Sequence, residues 1–271
     1  MSRVFLLFFA TLLQLRSYSA RVDTVEMISA YLRKTTRFVV VTPDRNDASI
    51  RFPVVYLLHG YSGDHSQWLR DAPQLSVRAD EHQVILVAPD GGYGSWYFDS
   101  PIDTAIRYES FIIKELIGYI DSNYPSMPHR SSRAVTGLSM GGHGALFLAS
   151  RHSDAFGSAG SICGGVDFRA FPENWDIKKA LGPYSSNAAV WDAHVVLNTI
   201  ERLKNKEVNM VIDCGLDDFF LEVNRALHRK LMDRKIDHDY IERPGAHNAA
   251  YWRNSIDYQL LYFSKCFRTG G

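Results

Sequence analysis

Seven short apolar runs alternate along this chain with amphipathic stretches of helical period, and that alternation leaves few folds open. The runs are Phe38–Val41, Pro53–Leu58, Val84–Ala88, Arg133–Leu138, Gly157–Cys163, Val208–Cys214 and His238–Arg243. Most are near-continuous in Val, Ile, Leu and Ala without polar alternation, the pattern of parallel strands covered on both faces. Between them, Tyr108–Tyr119 repeats apolar residues at steps of three and four (Phe111, Ile112, Leu116, Tyr119), and Leu221–Met232 and Ala249–Phe267 follow the same period. Strand–helix alternation requires right-handed crossovers, so the expected class is α/β, a mostly parallel sheet with helices on both faces. No internal repeat and no Pro-, Gly- or Ser-rich linker divides the chain. Its 271 residues therefore fit one large domain.

The first twenty residues stand apart from this pattern. Met1-Ser2-Arg3 gives a positive start, Val4–Leu15 is almost wholly apolar, and the small residues Ser17, Ser19 and Ala20 follow. A charged start, a short apolar core and a small-residue exit describe a secretory signal peptide. The run is too short for a helix of about 20 residues that spans a bilayer. The expectation is a signal peptide over 1–20, one folded domain over 21–271, a secreted or periplasmic location, and no stable membrane insertion once the leader is removed.

Charge narrows the partners. Thirty Lys+Arg balance thirty Asp+Glu, which leaves no basic footprint for nucleic acid. Three cysteines cannot build a disulfide framework, and none forms a C-x-x-C pair. Cys163 and Cys214 end strands expected to be neighbours, so a bridge between them is open, with buried free thiols the favoured alternative. The segment 164–190 is irregular and aromatic (Phe168, Phe171, Trp175, Tyr184) and longer than an ordinary connection. It is either a lid over a pocket or a surface loop with its own apolar cluster.

The chemistry-bearing motif is Gly137-Leu138-Ser139-Met140-Gly141, continued by Gly142-His143-Gly144. It stands between a strand and a helix, the context in which G-x-S-x-G makes a strained turn that lifts the hydroxyl out at the carboxyl edge of a sheet. A serine hydroxyl needs a base at neutral pH, and histidine titrates in that range. With a Ser–Asp/Glu–His chain order, the base belongs in a loop after the last strand, where Pro244-Gly245-Ala246-His247-Asn248 lies. His59 fits loop support and His143 helix packing; His228 and His238 belong to a helix and a strand start. The acid closes the sixth strand, in Asp213-Cys214-Gly215-Leu216-Asp217-Asp218. Two aspartates compete there: a Gly-x-x-Asp spacing favours Asp218, leaving Asp217 as a surface residue or helix N-cap. Oxyanion donors are expected from the backbone N–H of Met140 and of Tyr61, ahead of Ser62 or Asp64. No metal ligand set and no cofactor motif accompanies these residues.

Leu57-Leu58-His59-Gly60-Tyr61, Pro89-Asp90-Gly91-Gly92, the run through Ser139, Asp213–Asp218 and Pro244–His247 together resemble the esterase D family of α/β-hydrolases. That family includes S-formylglutathione hydrolases, tributyrin-type carboxylesterases, feruloyl and acetyl-xylan esterases and mycolyltransferases. The resemblance, over about 37–267, implies an α/β-hydrolase fold with Ser139 as nucleophile, His247 as base, Asp218 as acid and the Tyr61 and Met140 amides as oxyanion hole. Ser95-Trp96-Tyr97-Phe98-Asp99-Ser100-Pro101 is most similar to secreted, polysaccharide-tailoring members. The implied activity is ester hydrolysis through an acyl-enzyme, on a small-molecule or carbohydrate ester (acetyl or feruloyl). Acyl transfer, thioester hydrolysis of the S-formylglutathione type and a non-catalytic binding module are the alternatives. Trp68, Trp96, Tyr97 and Trp175 are candidates for an acyl or aryl pocket, or else core residues.

Overall fold

The computed structural model describes residues 20–44, 47 and 49–269. The leader expected over 1–20 therefore lies outside the described residues except for Ala20. The chain builds one eight-stranded sheet in the order β1-β2-β4-β3-β5-β6-β7-β8. The strands are β1 (Arg21–Ser29), β2 (Lys34–Thr42), β3 (Val54–Leu58), β4 (Ile85–Pro89), β5 (Arg133–Gly137), β6 (Ser158–Ile162), β7 (Asn209–Gly215) and β8 (Asp239–Arg243). From β4 to β8 every pairing is parallel, whereas β1 and β2 form an antiparallel hairpin whose second strand also runs antiparallel to β4.

Seven of these strands match the apolar runs; β1 is the addition. Val25 and Met27 pack on the core while Thr24 and Glu26 face solvent, so this edge strand alternates in place of running apolar. An exposed edge needs only one covered face, and a search for continuous apolar runs passes over it.

Consecutive strand residues feed opposite layers. Val40, Val54, Tyr56, Leu58, Val87, Val135 and Ile212 join one core cluster, and Val39, Val41, Val55, Leu57, Leu86, Ala134 and Val211 join the other. The first layer is closed by the Met140–Arg151 and Leu221–Asp233 helices and by the helical stretch Tyr108–Ser110, Phe111–Leu116 and Ile117–Asn123. Phe147, Leu227 and Phe111 are their core residues. The second layer is closed by Leu75–His82 and the long Ala249–Thr269 helix, which contributes Ile256, Leu260 and Phe263. The middle helical stretch widens to a π-helix over Phe111–Leu116.

The 164–190 segment is no detached lid. Val166, Phe168, Ile177, Ala180 and Leu181 are fully buried in the first core layer. Two short helices, Ile177–Leu181 and Tyr184–Asp192, carry it back towards β7. Of its aromatics, Trp175 remains at the rim, beside the loops at the carboxyl ends of β6 and β7. No helix of the described residues is long and apolar enough to cross a membrane.

Candidate active site

β5 delivers Ser139. After Gly137 the chain keeps sheet-like contacts for two more residues, with the Leu138 amide donating to the Leu58 carbonyl and the Ser139 amide to the Ile162 carbonyl. It then turns at Ser139, held at φ 55°, ψ −116°, into the Met140–Arg151 helix. A non-glycine residue in that region costs on the order of 1–3 kcal/mol and persists only where its surroundings impose it. Here the constraint is the crossing of helix and strand: a Cβ on Gly141 would stand 2.2 Å from the Leu58 carbonyl oxygen and 2.6 Å from that of His59. Both obstacles are backbone, so neither can swing aside. Gly141→Ala is expected to lower the melting temperature by the cost of overpacking, about 1–3 kcal/mol. It should lower kcat/KM by about a hundredfold through displacement of the hydroxyl. Thermal melts and ester turnover check both, and wild-type values in both would overturn the close crossing.

Asp218 and His247 arrive on two loops joined by backbone. Asp217 N–H donates to the Gly245 carbonyl and Leu216 N–H to that of Arg243, which fixes the β7 and β8 turns against each other. Asp218 is buried, and its Oδ1 accepts the Phe220 amide at 2.8 Å. Of the two adjacent aspartates, Asp218 faces inward and Asp217 is exposed. Asn248 caps the last helix by accepting the Tyr251 amide, and His247 precedes it. The result is a continuous relay. His247 Nδ1 lies 2.8 Å from Asp218 Oδ2, and His247 Nε2 lies 2.9 Å from Ser139 Oγ. Beneath it, the Tyr251 hydroxyl and the Arg243 guanidinium both donate to the buried Asp213 carboxylate.

Electrostatics separate His247 from the other histidines. Burial alone would lower its basicity, but the Asp218 carboxylate, with the Cys163 thiol beside it, raises the imidazole to about 9. His143 goes the other way: fully buried, it is pushed down to about 3, and its Nε2–H donates to the His194 carbonyl. It is a core histidine, as its helix position suggested. His59 holds a loop: Nδ1–H donates to the Gly60 carbonyl while Nε2 accepts the Gly91 amide at 2.7 Å.

That loop runs beside the Ser139 turn. A Cβ on Gly60 would lie 3.5 Å from Ser139 Cβ, ordinary contact, and 2.6 Å from Leu138 Cδ1, which would have to shift. The Ser62 amide is engaged by the Tyr93 carbonyl at 2.7 Å. Among the described residues, the Tyr61 and Met140 amides donate to no protein acceptor. The Tyr61 hydroxyl donates to Asp176 Oδ2 and its ring packs edge-on against Tyr93.

The aromatic candidates divide. Trp68 lies in the other core layer, its Nε1–H on the Leu58 carbonyl. Trp96 and Tyr97 are fully buried, and the Tyr97 hydroxyl donates to the His59 carbonyl. These three are core, not pocket, because each spends its polar atom on backbone inside the fold. Trp175 alone reaches the rim, where it stacks on Phe219 at 5.9 Å and 16°. Phe219, Phe220 and Trp252 surround the imidazole, with ring centroids 4.3, 5.7 and 5.3 Å from that of His247. Sequence reading passed over them, although Phe219-Phe220 directly follow Asp218 and Trp252 lies five residues past His247.

Residues 29–263 match the family described as "Putative esterase". The chain belongs to this esterase family. Among curated relatives, Esterase Rv1288 of Mycobacterium tuberculosis is 31% identical over 237 residues, 77% of this chain and 51% of that protein. The chain thus spans about half the length of that relative. An acetyl esterase of Caldicellulosiruptor saccharolyticus is 26% identical over 265 residues, 89% of this chain and 97% of that one. Among solved structures, the Staphylococcus aureus fluorophosphonate-binding serine hydrolase FphF superposes with a TM-score of 0.81 at 20% identity, covering 90% of this chain and 98% of the other. That likeness places the fold of this esterase-family chain among the α/β-hydrolases.

Proposed function

We propose that this protein is a serine carboxylesterase acting outside the cytoplasm on acylated carbohydrates. One observation carries the chemistry: Ser139 Oγ, His247 and Asp218 form an unbroken hydrogen-bonded series at 2.9 and 2.8 Å. His247 Nε2 takes the Ser139 proton as Oγ attacks the ester carbonyl. The imidazolium that forms is stabilised by Asp218, and the developing oxyanion is met by the Tyr61 and Met140 amides. The alcohol leaves with the proton from Nε2, and water, deprotonated by the same nitrogen, hydrolyses the acyl-enzyme.

The carbohydrate reading is supported by chemistry beside the oxyanion loop. A cleft of ≈ 520 Å³ there is lined by Lys34, Tyr93, Ser95, Tyr108, Asp176 and Lys179 among others, a mixture suited to a polyhydroxylated alcohol with a ring to stack on Tyr93. The near full-length likeness to an acetyl esterase favours a short acyl group. The leader-like pattern of residues 1–20 supports export.

Two measurements test this. A fluorophosphonate should add its mass to the peptide that contains Ser139 and stop turnover of p-nitrophenyl acetate; labelling elsewhere would remove the proposed nucleophile. Acetylated and feruloylated oligosaccharides should release free acid with a sugar acceptor present. Acylated acceptor as the main product would make the protein a transferase built on the same residues.

A further inference from the structure

Beside the Asp218 carboxylate lie two thiols that ester hydrolysis does not use. The β6–β7 register pairs Ile162 with Asp213, and one residue further brings Cys163 beside Cys214. The Cys163 amide is tied to the Asp213 carbonyl at 2.7 Å. Both side chains are fully buried and neither is in a disulfide, so the bridge left open by the sequence is not formed. The two Sγ atoms and a carboxylate oxygen of Asp218 all lie within 4.8 Å of one another. A tetrahedral cation with Zn–S near 2.3 Å and Zn–O near 2.0–2.2 Å holds such donors roughly 3.5–4 Å apart. Movements of about an ångström or less would gather them.

We propose that Cys163, Cys214 and Asp218 form a chelating site for a soft divalent cation of the zinc–cadmium class, and that filling it inactivates the enzyme. Two sulfur donors select a soft ion over calcium or magnesium, which take oxygen shells. The carboxylate spent on the cation is the one that orients His247, so binding and catalysis compete for Asp218. The inactivation rests on the triad reading above; the chelation does not. The balance is simple: one cation binds and the two thiols release their protons to solvent, with no change of oxidation state. Cys214 and burial both raise the Cys163 thiol, so a cation must displace its proton.

Cadmium tests the proposal on the full-length reduced chain. One equivalent should produce the ultraviolet thiolate-to-cadmium charge-transfer band, which ligation by the His228–His238 surface pair cannot give. The band should vanish in Cys214→Ala and persist in Cys266→Ser. In parallel, wild-type turnover of p-nitrophenyl acetate should fall at least about tenfold, as loss of the orienting carboxylate demands, and recover with a chelator. Cys214→Ala should keep its basal rate and resist. A band absent from the wild type, or unchanged in Cys214→Ala, overturns the site. A band present in wild type and in Ser139→Ala without loss of wild-type turnover keeps the site and overturns the inactivation.

Discussion

Ser139→Ala is expected to lower kcat for p-nitrophenyl acetate by at least about four orders of magnitude while leaving the melting temperature within a degree or two. The size follows from the division of labour in a triad. Without the hydroxyl no acyl-enzyme forms, and what remains is water attack helped by the oxyanion donors and substrate binding, a small fraction of the full rate. The unchanged stability follows from what Oγ touches. Its recorded partner is His247 Nε2 at 2.9 Å, the fold-bearing contacts at this position come from backbone, and the Ser139 amide on the Ile162 carbonyl survives the substitution. Alanine also inherits the strained φ 55° without adding bulk. The pair of readouts matters. A collapse of activity together with a large fall in melting temperature would point to an unfolded turn, whereas retained turnover would move the nucleophile elsewhere.

How much of this site was legible beforehand depends on the kind of constraint each residue obeys. Ser139 and His247 sit in turns whose neighbours are dictated by backbone geometry: Gly141 because only hydrogen fits against the Leu58 carbonyl, and Asn248 because it caps the last helix. Local rules of that sort are written in consecutive residues. Asp218 against Asp217 was half legible, since spacing favoured one, but only the turn's inward face, set by the Asp217 amide on the Gly245 carbonyl, separates buried from exposed. The rim was not legible at all. Trp68 and Trp175 look alike in sequence, yet one lies in the second core layer and the other stacks on Phe219, because that choice depends on contacts between segments distant in the chain. β1 was hidden for a local reason: it pairs with the adjacent β2 along Arg21↔Thr42 to Ser29↔Lys34 as an edge strand that alternates apolar and polar residues, so no continuous apolar run marks it.

Asp218→Asn is expected to cost about four orders of magnitude in kcat, the size a misoriented imidazole tautomer carries in a Ser-His-Asp triad, and to change the shape of the pH profile. The geometry shows why an isosteric change is so damaging. One carboxylate oxygen already accepts the Phe220 amide at 2.8 Å, so an asparagine must place its carbonyl oxygen there. Its NH₂ then faces His247 Nδ1, which becomes an acceptor, and the proton moves to Nε2, the nitrogen that must be bare to receive the Ser139 proton. The pH effect has a definite sign. In the wild type Asp218 and Cys163 outweigh burial and raise His247 to about 9; the base form is therefore scarce at neutral pH, and kcat/KM should climb about tenfold per unit towards pH 9 before levelling. Stability should run the opposite way. A folded value above the ordinary 6.5 means the charged imidazole stabilises the fold by about 3 kcal/mol below pH 6.5, a contribution lost as the pH rises through about 9. Without the carboxylate, burial prevails, the imidazole stays neutral through this range, and both slopes flatten. Rate and melting temperature measured from pH 6 to 10 on both proteins decide the matter: an Asp218→Asn enzyme within tenfold of wild type, or one that keeps the rising limb towards pH 9, would show that another group orients and charges His247.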